Sequence, residues 1–123
     1  MTGPHPGRER GSASVLVAGL MGVMVVLTGV ALLVAGYELA QHRARGAADL
    51  AAVSGAAAHA GGRDACAQAA RTAADNHVTV LRCGVVGDAV EYVVSVRVAL
   101  SVRTRVRGLP TRVVAEAHAG STP

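Results

Sequence analysis

The longest apolar stretch of the chain lies near its N-terminus. Residues 11–37 contain no charged side chain, and residues 15–34 are apolar except for three glycines and one threonine. A helix of about twenty residues spans about 30 Å, the thickness of a bilayer's hydrocarbon core. A cleavable secretory signal has a shorter apolar region followed by a small-residue cleavage site, and no clean site follows here. The pattern predicts a single-pass signal anchor over residues 12–37, preceded by a disordered cytoplasmic tail or leader over residues 1–11.

The pattern beyond this stretch predicts that the helix continues as an amphipathic helix to about residue 59. Side chains of opposite charge recur four positions apart, which places them together on a solvated face. The pairs are Glu38 with His42 and Arg45 with Asp49. Apolar residues form a second stripe, interrupted at Gly46; they are Leu39, Leu50, Val53 and Ala57. Two glycines at 61 and 62 end the helix, and residues 63–76 predict a short second helix.

The last third of the chain predicts β structure. Residues 78–86 read as a first strand and Gly87-Asp88 as a turn. Apolar and polar residues then alternate, so that one face of a second strand is buried. The buried face is Val90, Tyr92, Val94, Val96, Val98, Leu100 and Val102, and the polar face includes Glu91, Ser95, Arg97, Ser101 and Arg103. Residues 112–118 read as a last short strand.

The predicted fold is therefore α+β. A long N-terminal transmembrane helix extends into the amphipathic helix, and a second short helix and a small antiparallel β-meander follow. Residues 38–120 form the predicted extracytoplasmic domain, and residues 121–123 form a tail.

Small residues recur along one line of the predicted membrane helix. They are Ala18, Gly22, Gly29 and Gly36, with Val25 and Leu32 between them. Small residues four positions apart let helices approach closely in lipid, which indicates a packing face. The alternative is that glycine is simply more frequent in membrane helices than in soluble ones.

The basic charge comes entirely from twelve arginines, since the chain has no lysine. A nucleic-acid binder usually combines both residues with aromatic stacking platforms, and the two tyrosines are the only Phe, Trp or Tyr residues here. The codon usage of a GC-rich genome would also produce arginine without lysine. Five arginines gather near one end of the β region, four of them on the polar face of the alternating strand: Arg97, Arg103, Arg105, Arg107 and Arg112. They form either a patch for an anionic partner or a solvated face that discourages edge pairing.

Two cysteines, Cys66 and Cys83, lie in the segment predicted to be extracytoplasmic, where a disulfide is the simplest interpretation. A zinc site that adds His77 is an alternative, but its spacing matches no standard pattern. Arginines flank both ends of the apolar stretch almost equally, so the cysteines and the short N-terminal tail decide the orientation: N-terminus in the cytoplasm, C-terminal domain outside. The sequence contains no nucleophile elbow, phosphate loop or carboxylate pair, so we expect no enzyme, no metal and no cofactor.

The segment Arg10-Gly11-Ser12, the apolar helix that follows and the alanine-rich stretch from Arg45 to Ala52 resemble the TadE-like proteins. These are pilin-like, or pseudopilin, components of tight-adherence Flp pilus systems, and the likeness is strongest to the short actinobacterial branch found in a helicase and secretion gene neighbourhood. The resemblance implies a pilin-like fold and a membrane-anchored structural or assembly component of a pilus or secretion system. It also implies a hetero-oligomeric assembly with other membrane or pilin-like proteins.

Pilin-like precursors are cut after a glycine and carry a glutamate at the fifth mature position. If Gly11 is the processing site, that position is Leu16, and no acidic residue precedes Glu38 in the apolar run. This departure favours a permanently anchored assembly role over a filament subunit. The alternative function is an envelope-anchored binding module whose arginine-rich face recognises DNA, lipid headgroups or cell-wall polymer.

Overall fold

The computed structural model describes residue 3 and residues 7–121, with side chains from residue 11 onward. The elements in chain order are α1 (Gly7–Ala60), α2 (Ala65–Asp75), β1 (Thr79–Gly87), β2 (Tyr92–Ser101) and β3 (Arg112–Ser121). The predicted α+β class and element order are confirmed. Residues 1, 2 and 4–6 of the predicted tail over residues 1–11, and residues 122 and 123 of the tail over 121–123, lie outside the described residues. The chain divides into two units, residues 1–36 and residues 37–123.

The first unit contains the apolar part of α1. Every side chain from residue 11 to residue 36 is exposed, including large ones such as Val15, Leu16 and Val25, each more than 70% accessible. The one hydroxyl at its centre, on Thr28, donates to the Met24 carbonyl oxygen at 2.8 Å, which satisfies it inside the helix. By length and composition this helix can cross a membrane.

The second unit has a core of alanine and valine. The face of α1 that packs inward is made of small residues: Ala40, Ala44, Ala47, Ala48, Ala51, Ala52 and Ala56. Opposite them lie the three largest fully buried side chains, Val94, Val96 and Val98 of β2. Because alanine side chains are short, the helix backbone can lie close to the sheet, and the core is thin.

One glycine of α1 shows how close this packing is. A Cβ atom on Gly55 would lie 3.0 Å from the carbonyl oxygen of Ala65 in α2 and 3.2 Å from Cγ1 of Val94 in β2. Three elements therefore meet at a position where no side chain fits without movement.

The predicted apolar stripe of α1 lies on the exposed side of the helix and not on its buried face. Leu39 and Leu50 are each 54% exposed, Val53 is 60% exposed, and Ala57 is exposed as well. The alanines occupy the side of the helix that meets the sheet, and they leave no room there for leucine. The predicted ion pairs of Glu38 with His42 and Arg45 with Asp49 do not form either; all four side chains are exposed, and the ion pair among the described residues is elsewhere.

The sheet has the order β1-β2-β3, with both pairs antiparallel. The buried face of β2 from Tyr92 to Val98 is as predicted. Val90, however, is 75% exposed and precedes the strand. The reason is the turn: the Asp88 carboxylate accepts hydrogen bonds from the backbone N–H groups of Val90 at 2.7 Å and Glu91 at 2.8 Å. These bonds draw residue 90 into the turn and out of the alternation.

Side-chain hydrogen bonds fix α1 to the sheet within the second unit. The buried Tyr92 hydroxyl donates to the carbonyl oxygen of Ala56 at 2.9 Å. Near the other end of this part of α1, the Tyr37 hydroxyl donates to the carbonyl oxygen of Pro110 at 2.8 Å. The sheet therefore carries one surface that is covered by α1 and another that faces outward.

Candidate functional site

The disulfide between Cys66 and Cys83 is formed, as predicted, and it joins the first turn of α2 to β1. Asp64 caps the start of α2, where its side chain accepts a hydrogen bond from Ala67 N at 3.0 Å. Because both sulfurs are bonded to each other, the alternative zinc site with His77 is not formed. Among the described residues no group of three or more His, Cys, Asp or Glu side chains could hold a metal ion.

The predicted packing line in the apolar part of α1 is open. An added Cβ atom at Gly22, Gly29 or Gly36 would meet no heavy atom within 4 Å, and Ala18 is exposed. Gly11, the proposed processing site, is likewise exposed with nothing within 4 Å of an added Cβ. Both assignments remain predictions.

The five predicted arginines do not share one strand face. Arg97 lies on the outward face of β2, and Arg112 is the first residue of β3. Since β2 ends at Ser101, the loop between β2 and β3 holds the other three, Arg103, Arg105 and Arg107. The prediction that these three continue the polar face of the strand was wrong, because the alternating pattern persists in the sequence after the backbone has left the sheet.

On the outward face of the sheet, Arg97 has a charged residue opposite it on each neighbouring strand. It lies opposite Arg82 of β1 and Glu116 of β3. Arg82 was missed by the sequence analysis, which placed the turn at residues 87–88; the connection runs over residues 88–91, and the register it sets brings Arg82 opposite Arg97. Glu116 is also within 3.7 Å of His118 Nε2 in an exposed ion pair, an interaction of small energetic weight. A carboxylate beside the two guanidinium groups weakens the attraction of this face for an anion.

The hairpin that joins β1 to β2 is held against the end of α1. The His59 ring contacts the Tyr92 ring with centroids 4.4 Å apart, and His59 Nε2 lies 3.2 Å from the carbonyl oxygen of Asp88. Backbone hydrogen bonds from Glu91 and then Val90 hold the pKa of the exposed Asp88 carboxyl below its usual value. These contacts organise the turn and do not assemble a nucleophile with a base.

The most distinctive surface of the second unit is the exposed side of α1, which we call the outer stripe. Its members follow one another at alternating spacings of four and three residues: Leu39, Arg43, Gly46, Leu50, Val53 and Ala57. This spacing is that of a helix seam that faces another helix. All six residues are exposed. Sequence analysis identified the apolar members as a stripe, and the structure places that stripe on the exposed side of the helix.

A notch of about 420 Å³ opens beside Gly46 on this stripe. It is lined by Arg43, Gly46, Ala47, Leu50, Asn76, His77 and Leu100. Gly46 supplies the space, since nothing lies within 4 Å of an added Cβ there. The arrangement can receive a side chain from outside, and it offers no catalytic group combination.

Comparison with models of known protein families gives a match over α1. Residues 11–61 match the family model described as "Tad: Putative Flp pilus-assembly TadE/G-like". No curated protein and no solved structure matches the chain. The printed description of the matched family refers to pilus assembly. The match begins at Gly11, runs through the rest of α1 and ends just beyond it, so it includes both the apolar segment and the outer stripe. The match spans 51 of the 123 residues and supports assignment of this chain to the TadE-like family.

Proposed function

We propose that this protein is a single-pass, membrane-anchored component of a Tad-type pilus or secretion apparatus, and that it acts structurally, as a pseudopilin-like assembly factor. The observation that carries the proposal is the family match over residues 11–61, which covers the apolar segment of α1. Fourteen large apolar side chains are exposed between residues 15 and 34. Such a surface is unfavourable in water and is accommodated by a lipid bilayer.

The second unit is the part offered to partners, on the outer side of the membrane. The disulfide between Cys66 and Cys83 supports this orientation, because such bonds form and persist in oxidising compartments. The unit is small, and a bond that closes a loop of seventeen residues stabilises it by about 3 kcal/mol in the chain-entropy model.

An assembly role fits better than a filament-subunit role. If Gly11 is the processing site, the position that carries glutamate in pilin-like precursors is Leu16, which is 72% exposed among other large apolar side chains. Residues 11–37 contain no charged side chain that would disfavour a place in the lipid. The anionic-ligand alternative gains no support from the family match, and Glu116 weakens the arginine face that it requires.

A charge-insertion experiment in the bacterium that makes the protein tests this function. Val26→Arg combined with Val30→Arg places two charges in the apolar segment, each costing roughly 2.5–3.5 kcal/mol at the bilayer centre. Both positions are exposed, at 65% and 53%. We expect this variant to leave the membrane fraction and pilus assembly to stop, whereas the control with leucine at both positions retains both.

Protein levels measured by immunoblot separate loss of anchoring from degradation. In parallel, the native chain cross-linked in its own membranes should be recovered with proteins of the pilus machinery. Normal pili in a strain that lacks the gene would refute the proposal, and so would normal pili with a chain that is stable but detached from the membrane.

A further inference from the structure

The outer stripe is an apolar helix face that its own domain leaves uncovered. Its large side chains Leu39, Leu50 and Val53 are 54–60% exposed, while the opposite face of the same helix is filled by buried alanines. In the sequence, Leu39 follows Gly36 by three positions, so the spacing of the stripe continues that of the predicted packing line from Ala18 to Gly36. A seam with this spacing accommodates one neighbouring helix along its length.

The notch beside Gly46 adds chemical character to this face. Its lining is basic and apolar: Arg43 and His77 stand with Leu50 and Leu100, and no carboxylate is among the lining residues. Arg43 forms no ion pair with any residue that the structure describes. An apolar cavity of about 150 Å³ already admits a benzene ring, so a notch of about 420 Å³ has room for a bulky apolar side chain.

A second copy of the chain does not complement this surface. Two copies anchored by the same segment run parallel, so that each residue lies at the same depth relative to the membrane as the same residue of the other copy. Arg43 would then face Arg43, and the notch at Gly46 would face another glycine and stay empty. Like charges opposed across an interface disfavour that pairing.

We propose that the outer stripe binds a membrane-anchored helix of a different protein, one that presents a carboxylate at the level of Arg43 and a bulky apolar side chain at the level of Gly46. The carboxylate pairs with the Arg43 guanidinium, and the apolar side chain fills the notch against Leu50 and Leu100. This inference rests on the anchor of the proposed function, because the anchor makes neighbouring helices parallel.

The chain itself supplies a probe for this chemistry. The double variant Arg43→Glu with Gly46→Leu imitates the proposed partner. It presents a carboxylate at position 43 and a bulky apolar side chain at position 46. Val53→Cys in both proteins reports facing helices through an intermolecular disulfide, since the native cysteines are bonded to each other. Full-length wild type and probe, with tags of different mass, are reconstituted together in liposomes and oxidised.

We expect the mixed disulfide dimer to exceed the wild-type homodimer roughly tenfold, as charge complementarity requires. The matched control replaces Arg43→Glu by Arg45→Glu, the same charge change on an exposed residue outside the stripe, and should abolish most of that preference. A statistical mixture of dimers, or a dominant wild-type homodimer, would overturn the inference. Flotation of both proteins with the liposomes tests the anchor separately, and proteins that do not float refute the anchor. Proteins that float but show no excess of the mixed disulfide dimer refute only the proposed partner chemistry.

Discussion

The close approach of three elements at Gly55 makes a quantitative prediction about the second unit. In Gly55→Ala the new methyl group would lie 3.0 Å from a backbone oxygen of α2 and 3.2 Å from the fully buried Val94. The backbone oxygen cannot rotate away, so α1 and α2 must separate. Overpacking of this kind costs about 1–3 kcal/mol, while alanine in place of glycine stabilises a helix by about 1 kcal/mol. The net expectation is a loss of about 0–2 kcal/mol.

Gly46→Ala is the matched control, because it makes the same substitution in the same helix. Nothing lies within 4 Å of the added Cβ, so only the gain of about 1 kcal/mol remains. The two variants should therefore differ by about 1–3 kcal/mol, and each kcal/mol shifts the melting temperature of a domain of this size by roughly 4–8 °C.

Thermal unfolding of the full chain in detergent micelles measures this difference. Near-ultraviolet circular dichroism is the suitable signal, since the only Phe, Trp or Tyr residues are Tyr37 and Tyr92, and both belong to the second unit. The helix in the micelle then contributes nothing to the transition. A Gly55→Ala protein that melts at or above the temperature of Gly46→Ala would refute the packing argument.

Three further predictions concern the same unit. Tyr92→Phe removes a buried hydrogen bond to Ala56 and should lower the free energy of unfolding by about 1 kcal/mol in urea titrations; an unchanged midpoint would count against that bond. Reduction of the disulfide between Cys66 and Cys83 should lower it by about 3 kcal/mol, and a variant with serine at both positions should not respond to reductant. The carboxyl of Asp88 should titrate below 3.8 by NMR; because its folded pKa is depressed, its contribution to stability is present above that pH and is lost as the pH falls through the folded pKa.

Sequence patterns located the elements of this fold because each had a strong local signal. The uncharged run gave the apolar helix, the paired glycines at 61–62 gave its end, and the alternation from Tyr92 to Val98 gave the central strand with its buried face. The disulfide was predicted because the two cysteines lie in a segment expected to be extracytoplasmic, and the structure contains it.

The errors arose where hydrophobicity alone does not decide which side is buried. Leucine and valine are more apolar than alanine, yet Leu39, Leu50 and Val53 lie on the exposed side of α1. A thin core selects for size, and the alanines took the inner face instead. Val90 and Arg103 continue the alternating pattern in the sequence but lie outside the strand. The Asp88 carboxylate accepts a hydrogen bond from the Val90 backbone N–H and holds it in the turn, and sheet pairing ends at Ser101, before Arg103.

The outer stripe could not be recognised as exposed without the structure. Its spacing is visible in the sequence, but the notch beside Gly46 needs His77 and Leu100, which come from distant parts of the chain. The spacing alone is equally consistent with a buried face and with a seam for a partner.

The account depends most directly on an anchored chain with its second unit outside the cytoplasm. Thr111→Cys places a thiol in the exposed loop before β3. Intact cells are treated with a membrane-impermeant maleimide, and the label is then measured on membranes washed with alkaline carbonate. We predict full labelling of a protein that stays with the washed membranes. Extraction into the wash, or labelling only after the cells are permeabilised, would contradict the account.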